Sequence, residues 1–478
     1  MSANKDKIKE YISDQVAQAD FRAQGYVFDA HNKKRLNRNI FLRLQAHLDK
    51  FLEGNKAYRW IALTGLRGAG KTTVMYQLYH AKKNIDAYSL ILPVDEIVET
   101  LGSNLSEILS VFEEVINRPL SNLDKPLLLF LDEVQYDSKW GVTLKALYDR
   151  ADNVFIFSTG SAAVLVNTNS DVARRAIFEK MYPLSFTEFI KIKKQKVEIK
   201  GLAKDLREAV FEAGTALEAF TSISLLQSRI DRYYLDIGRL EFESYLHYGS
   251  LPFMIALDNE AIVYDQIHKS LDRVVNKDIP QMQSMTRDII SKIPAILYAI
   301  ADMDALNFST MATKFGISRP KVSEIFSVLE EAEVLHRIYP HGSHFKQVTQ
   351  KPSKYLFSSP AFRAMYYKTI GNTITEQNAR GKLLEDLVSM YLYRIFDKKP
   401  MYSLTYDSAQ GGADFIVGVG DKKIVIEVGS NKTEYRQVVK TSQKVTPAYS
   451  IILSEEGNLE YNEEANALKI PLKYFLLT

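Results

Sequence analysis

Between Trp60 and Thr73 the chain reads WIALTGLRGAGKTT, and no other stretch limits its folding as much. An apolar strand runs into a glycine-spaced loop and then into the helical pattern VMYQLYHAKK, with the spacing Gly-x-x-x-x-Gly-Lys-Thr. The glycines let successive backbone N–H groups turn inward, and the following helix adds the positive end of its dipole, so the loop is shaped for phosphate oxygens. Lys71 is expected to reach the β and γ phosphates of ATP, and the Thr72 hydroxyl to ligate Mg2+. The whole turn, Gly65, Leu66, Arg67, Gly68, Ala69, Gly70, Lys71, Thr72 and Thr73, is the candidate nucleotide contact.

A phosphate loop that serves hydrolysis needs carboxylates opposite it. KPLLLFLDEVQ, from Lys125 to Gln135, supplies them. The LLLFL run reads as a strand buried on both faces, as in parallel sheets, and delivers Asp132 and Glu133 at its end. Asp132 is the expected magnesium ligand and Glu133 the group that polarises the attacking water. A further strand, NVFIF, runs into Ser158 and Thr159, which are candidates for sensing the γ phosphate and equally for capping or turn roles. Strands alternating with helices from about 55 to 185 predict an α/β core, a doubly wound parallel sheet with nucleotide at its carboxyl edge.

Composition adds exclusions. No cysteine is present among 478 residues, which rules out disulfides and thiolate metal sites and fits a reducing compartment. No apolar run approaches the roughly 18 residues of a membrane span. MSANKDKIKEYISDQ carries no apolar signal core. A soluble cytoplasmic protein with no membrane partner is expected. The net charge of +3 permits nucleic-acid contact without arguing for it.

The order TGLRGAGKTT, LFLDEVQ, STGSAA and ARRAIFEKMYPLSFTEF resembles a group of archaeal and bacterial AAA-type P-loop ATPases that carry a winged helix and a carboxyl-terminal restriction-endonuclease-like domain. Tyr182 to Phe189 is the most specific part. The resemblance implies a γ-phosphate-sensing arginine, matched by Arg175, although Arg174 stands where the family carries glycine; a solvated basic turn is the alternative. LEFESYLHYGSLPFMIAL and SLDRVVNKDIPQ resemble the family's helical connector, with Gly249, Pro252 and Lys277-Asp278-Ile279 in matching order. The expected organisation is a helical segment over 1–36, an ATPase core over 37–189, a helical connector over 190–284, a winged helix-turn-helix over 285–355 and a nuclease-like domain over 356–478. The stretch 190–240 reads as an inserted, solvated helical lid. Tyr26-Val27-Phe28 is a possible packing point, and Arg38 reads as either a neighbour of the nucleotide base or part of a surface helix.

FSTMATKFG and SRPKVSEIFSVLEEAEVL, joined at Gly316-Ile317-Ser318, have the pattern of a helix-turn-helix. If it reads duplex DNA, Lys314, Arg319, Lys321 and Ser323 are the candidate contacts, with His336 and Arg337 touching phosphates from the wing. Glu324, Glu330 and Glu331 on the same helix oppose this, and a purely structural or oligomer-forming role stands beside it.

In the carboxyl-terminal segment, GGADFIVGVGDKKIVIEVG predicts a hairpin that brings Asp414 and Glu427 together, with Glu385 on a preceding helix able to join them around a divalent metal. The pattern resembles the PD-(D/E)xK nuclease core, whose lysine would fall at Gly429. Glycine cannot supply that charge. Lys432 could fold back in its stead, with Gln437 nearby. Three functions follow: an ATPase coupled to DNA through a nuclease frame whose activity the missing lysine argues against; an active, nucleotide-gated nuclease; or an ATP-dependent assembly switch acting on a second copy or another protein without nucleic acid.

Overall fold

Five apolar runs of the first 181 residues become strands of one sheet: β1 (Trp60–Gly65), β2 (Tyr88–Pro93), β3 (Leu127–Asp132), β4 (Val154–Gly160) and β5 (Ile177–Met181). Their order is β2-β3-β4-β1-β5, and every neighbouring pair is parallel. The computed structural model describes residues 2–160, 170–303, 307–342, 352–370, 375–397, 399, 401–432 and 434–478. Both faces of the sheet are apolar because helices cover both, as parallel crossovers require. Leu90, Leu92, Leu127, Leu129, Leu131 and Ile156 fill one face against Ile108, Phe112, Leu144 and Leu147 from the helices.

Contacts close in space divide the chain into two units, 1–182 with 277–284 and 183–276 with 285–478. In the first unit the amino-terminal segment is one long helix, α1 (Ser2–Val27), laid against α2 (Lys71–Lys82), the helix that follows the phosphate loop. Tyr26 stacks on Tyr76 with ring centroids 4.5 Å apart, and Tyr79 donates to Asp20 at 3.0 Å. Phe28 meets His80 edge to face, so the packing point at 26–28 is real. One more helix of this unit matters to the site, α3 (Trp140–Arg150).

The second unit holds an eight-stranded mixed sheet, β12-β13-β11-β10-β9-β8-β6-β7. Its strands are β6 (Leu335–Pro340), β7 (Lys354–Phe357), β8 (Tyr402–Tyr406), β9 (Phe415–Val419), β10 (Lys422–Gly429), β11 (Tyr449–Ser454), β12 (Glu460–Asn462) and β13 (Ala467–Pro471). The family segment after Tyr182 starts a helix here, α4 (Phe186–Lys194). Ser185 and Glu188 close a reciprocal capping box at its first turn. Buried Glu188 also takes the Arg394 guanidinium, and the Phe186 N–H donates to Tyr391 Oη at 2.7 Å. The specificity of PLSFTEF is thus that of an anchor.

Three helices precede the wing strands: α5 (Arg287–Asp302), α6 (Phe308–Phe315) and α7 (Arg319–Glu331). Gly316 ends α6 in left-handed backbone, φ 62°, and Pro320 lies in the first turn of α7. Strands β6 and β7 are antiparallel, but β6 also pairs in parallel with β8. The expected wing is therefore continuous with the carboxyl-terminal sheet, and its tip, 343–351, lies outside the described residues. This joining corrects one expectation. His336 is buried and stacked on Tyr393 at 3.9 Å, so it is not a phosphate contact.

The last helices of the site, α8 (Glu376–Phe396) and α9 (Arg436–Val445), flank this sheet. Asp386 on α8 and Arg363 form a fully buried ion pair, and Arg363 also donates to the carbonyl of Ala301, holding the end of α5.

Candidate functional site

The phosphate loop links β1 to α2. Gly68 and Gly70 take φ of 80° and 96°, which side chains rarely allow. A Cβ on Gly65 would lie 2.3 Å from the Met181 carbonyl oxygen, so the loop's first glycine is set by the close approach of β5. Lys71 Nζ folds back on the carbonyls of Gly65 at 2.9 Å and Leu66 at 3.3 Å. Leu66 and Ala69 are buried, so their side chains serve packing, and only their backbone groups are left to meet a ligand.

Placing β4 between β1 and β3 sets Thr159 beside the carboxylates. Thr72 Oγ1 donates to Asp132 Oδ2 at 2.7 Å. Thr159 Oγ1 donates to Asp132 Oδ1 and accepts the Glu133 N–H at 3.0 Å. Glu133 itself sits in left-handed backbone, φ 54° and ψ 50°, a conformation that costs roughly 1 kcal/mol for a side-chain-bearing residue. Its carboxylate takes the Gln135 side-chain amide. Burial first and the Glu133 charge second push the Asp132 carboxyl up to about 6, against the lowering effect of the Thr159 and Thr72 hydroxyls and of Lys71. A carboxylate crowded in this way, next to a threonine hydroxyl and a lysine, is what a bound Mg2+ would relieve. Thr72 and Asp132 fit that ion.

Ser158 was paired with Thr159 as a candidate, and the structure separates them. Neighbouring strand residues face opposite sides. Ser158 Oγ accepts Trp60 Nε1 at 3.1 Å inside the core, so it belongs to packing. Arg175 is likewise engaged elsewhere: its guanidinium grips Asp149 on α3 at 2.7 and 2.9 Å.

Three contacts at the loop escape sequence reasoning. Arg38 is buried and donates to the Ala69 carbonyl at 2.8 Å and the Tyr182 carbonyl at 2.9 Å, so it is not a surface residue. Arg67 pairs with Asp278 at 3.0 and 3.2 Å, a contact across 211 positions that draws Lys277–Ser284 into the first unit. Tyr26 at the end of α1 is held above its usual phenol value by burial and by the Asp132 charge, which brings the amino-terminal helix to the site. The connector segment Lys277-Asp278-Ile279 stands out in the sequence, but nothing local points to Arg67 as the partner of Asp278.

A second cluster lies in the other unit, in a cleft of about 650 Å³. Asp414 directly precedes β9, whose pairing with β10 sets Phe415 opposite Ile426, and Asp414 Oδ2 accepts the Val428 N–H at 3.0 Å. Lys432 does fold back: Nζ reaches Glu427 Oε1 at 2.6 Å and Gln437 Oε1 at 2.7 Å. Gly429 makes this possible, because a Cβ there would stand 2.6 Å from Lys432 Cγ. Lys354 of β7 was not foreseen. Its ammonium bridges Glu385 of α8 and Asp414, the latter at 3.0 Å. Burial opposes the charge on Lys354, but Asp414 and Glu385 outweigh it and hold the ammonium pKa above the usual lysine value. Burial and then Asp414 push Glu385 up to about 6 and Glu427 up to about 8. Among the described residues no three acidic or histidine side chains gather as a metal cage. The expectation that Glu385 joins Asp414 and Glu427 around a divalent ion is corrected accordingly.

Of the DNA candidates, Lys314, Arg319 and Ser323 are exposed, while Lys321 is paired with Glu324 at 2.6 Å. Arg337 lies over Tyr339 and donates to Ser353. No described helix is long and apolar enough to cross a membrane.

Residues 57–190 match an AAA domain family, and residues 239–369 match a domain of unknown function, DUF8612. The uncharacterized protein MJ1637 of Methanocaldococcus jannaschii is 31% identical over 98% of this chain and 94% of its own length. A second protein of that organism, MJ1544, is 19% identical over 91% of this chain and 87% of its own length. Among solved structures, Orc1 of Aeropyrum pernix in complex with DNA aligns at 13% identity and TM-score 0.30, covering 70% of this chain and 94% of that one. AMPPCP-bound DnaA of Aquifex aeolicus aligns at 15% and 0.27, covering 65% and 93%. Superpositions this loose say nothing of this chain's ligands.

Proposed function

The chain belongs to the same family as MJ1637, and on that footing we propose that it is a magnesium-dependent ATPase that couples nucleotide state to duplex DNA. The observation that carries the ATPase is the cluster Thr72–Asp132–Thr159–Glu133 at the carboxyl edge of the parallel sheet, beside the phosphate loop. Mg2+ held by Thr72 and Asp132 would supply charge neutralisation at the β and γ phosphates. Lys71 leaves the carbonyls of Gly65 and Leu66 to bind those phosphates, while the N–H groups around Gly68 and Gly70 cradle them. Glu133, oriented by Gln135 and by the Thr159 contact to its N–H, accepts a proton from the attacking water. Thr159 keeps Asp132 and Glu133 in register, and Arg175 would have to release Asp149 to reach the γ phosphate.

Coupling to DNA is supported by α6 and α7 with strands β6 and β7, the order of a winged helix, and by exposed Lys314, Arg319 and Ser323 at the turn. The order α8-β8-β9-β10-α9-β11, with Asp414 just before β9 and Glu427 on its partner β10, supports a restriction-endonuclease-like frame. We read that frame as a binding element without nuclease activity. One observation favours the opposite reading of a nucleotide-gated nuclease: Lys432 Nζ on Glu427.

The test is ATP hydrolysis by the purified chain with and without duplex DNA, followed by inspection of the DNA. Lys71→Ala should lose nucleotide binding, and Glu133→Gln should bind ATP without turning it over. Undiminished turnover by Glu133→Gln would remove the base assignment. Cleavage lost in Asp414→Ala would replace the binding reading of the carboxyl-terminal frame with the nuclease.

A further inference from the structure

The carboxyl-terminal cleft is lined by three carboxylates, Glu385 of α8, Asp414 just before β9 and Glu427 of β10. Clusters of this kind hold a divalent cation when their oxygens converge on an empty point. Here the point is filled from within. Lys354 is 7% exposed, and its ammonium sits between Glu385 Oε2 and Asp414 Oδ1. The Phe415 ring lies 5.5 Å from the same nitrogen and closes its apolar side. The distance to Asp414, 3.0 Å, is that of a charge-assisted hydrogen bond, so the ammonium competes for the same carboxylate oxygens that an ion of Mg2+ or Mn2+ size would need. Lys432 covers the third carboxylate on one side only. Glu427 is 2% exposed, and its Oε2 lines the cleft without a hydrogen-bond partner. A buried carboxyl oxygen left without a partner is costly unless something approaches it. That oxygen marks the vacant part of an otherwise self-neutralised cation site.

We propose that the Lys354 ammonium holds the place of a divalent cation between Glu385 and Asp414, so that this cleft is a metal site closed by its own chain and opened when Lys354 is taken away. The lysine comes from β7, far from both acids in sequence, and the strand is fixed on its other side by β6. Gly429 therefore does not decide whether the cleft takes metal. The inference bears on the reading of the carboxyl-terminal frame and not on the ATPase, and it is measured without nucleotide, so the two fail separately.

The experiment is Mn2+ uptake by the full-length chain without nucleotide, followed as loss of the free-ion spin resonance signal. It compares the wild type, Lys354→Met, Lys354→Met with Asp414→Asn, and Glu427→Gln. Lys354→Met should bind Mn2+ at least about tenfold more tightly than the wild type, a difference of about 1.4 kcal/mol, and the added Asp414→Asn should abolish the gain. Mn2+ should also raise the melting temperature of Lys354→Met by more than that of the wild type, since the Thr72–Asp132 pair is common to both. A folded Lys354→Met that takes up no more Mn2+ than the wild type overturns the proposal. If Lys354→Met does not fold, the wild type decides: uptake that Glu427→Gln removes overturns it, and no such uptake supports it.

Discussion

Ser158 and Thr159 are adjacent in sequence and opposite in consequence, and the difference is measurable. Thr159→Val keeps the shape of the side chain and removes its hydroxyl. Asp132 loses a donor and the Glu133 N–H loses its acceptor at 3.0 Å. A hydrogen bond to a charged group contributes about 1.5–3 kcal/mol. Felt fully in the transition state, that is a fall in turnover of about 10- to 150-fold. Nucleotide affinity should change less than about threefold, because the phosphate loop is untouched. Ser158→Ala instead leaves Trp60 Nε1 without its acceptor in a fully buried pocket. The cost of about 1–3 kcal/mol falls on stability, roughly 2–4 °C of melting temperature per kcal/mol for a unit of this size. Steady-state hydrolysis per folded molecule, nucleotide affinity and thermal melting together separate the two. If Ser158→Ala lost tenfold or more in turnover with an unchanged melting temperature, or Thr159→Val kept full turnover, the division of roles drawn from β4 would be wrong.

Asp132 gives a stability prediction of the unusual sign. Its folded pKa of about 6 lies above the ordinary 3.8, so its contribution is neutral at low pH, turns unfavourable as pH rises from about 4 to 6, and stays so above. Asp132→Asn should therefore melt higher than the wild type at pH 8 by the equivalent of ~1–3 kcal/mol, converge with it near pH 4, and lose hydrolysis at every pH. A variant that melts lower at pH 8 would contradict the burial argument. Arg38→Ala removes donors to the Ala69 and Tyr182 carbonyls; nucleotide affinity measured by fluorescence should fall severalfold as the loop loses that support. Gly249→Ala places a Cβ 2.6 Å from the Phe189 ring and should cost about 1–3 kcal/mol by denaturant melting.

What was legible in the sequence is what local spacing encodes. The phosphate loop and LFLDEVQ each lie within about a dozen contiguous residues, so period and position sufficed to place Lys71, Thr72, Asp132 and Glu133 at the carboxyl edge of one sheet. The hairpin pairing of Asp414 with Glu427 and the return of Lys432 over Gly429 were legible for the same reason. Lys354, Arg38 and Asp278 act on partners 31 to 211 positions away, and no periodicity reports such a meeting. His336 misled because a wing strand next to solvent was assumed, whereas pairing of β6 with β8 buries it against Tyr393. Ser158 and Thr159 were inseparable until the register of β4 against β1 and β3 fixed which faced the carboxylates.

The placement of Lys277–Ser284 in the first unit means that the chain passes between units after Tyr182, after Asn276 and after Ser284. Neither unit can then be cut out as one contiguous gene fragment. A truncation ending at Tyr182 would express a phosphate loop whose Arg67 has lost the carboxylate that now pairs with it. A chimaera that exchanged only residues 1–182 with a relative would ask a foreign Arg67 to recognise a resident Asp278. An exchange of modules keeps that ion pair only when the loop and the connector are moved together.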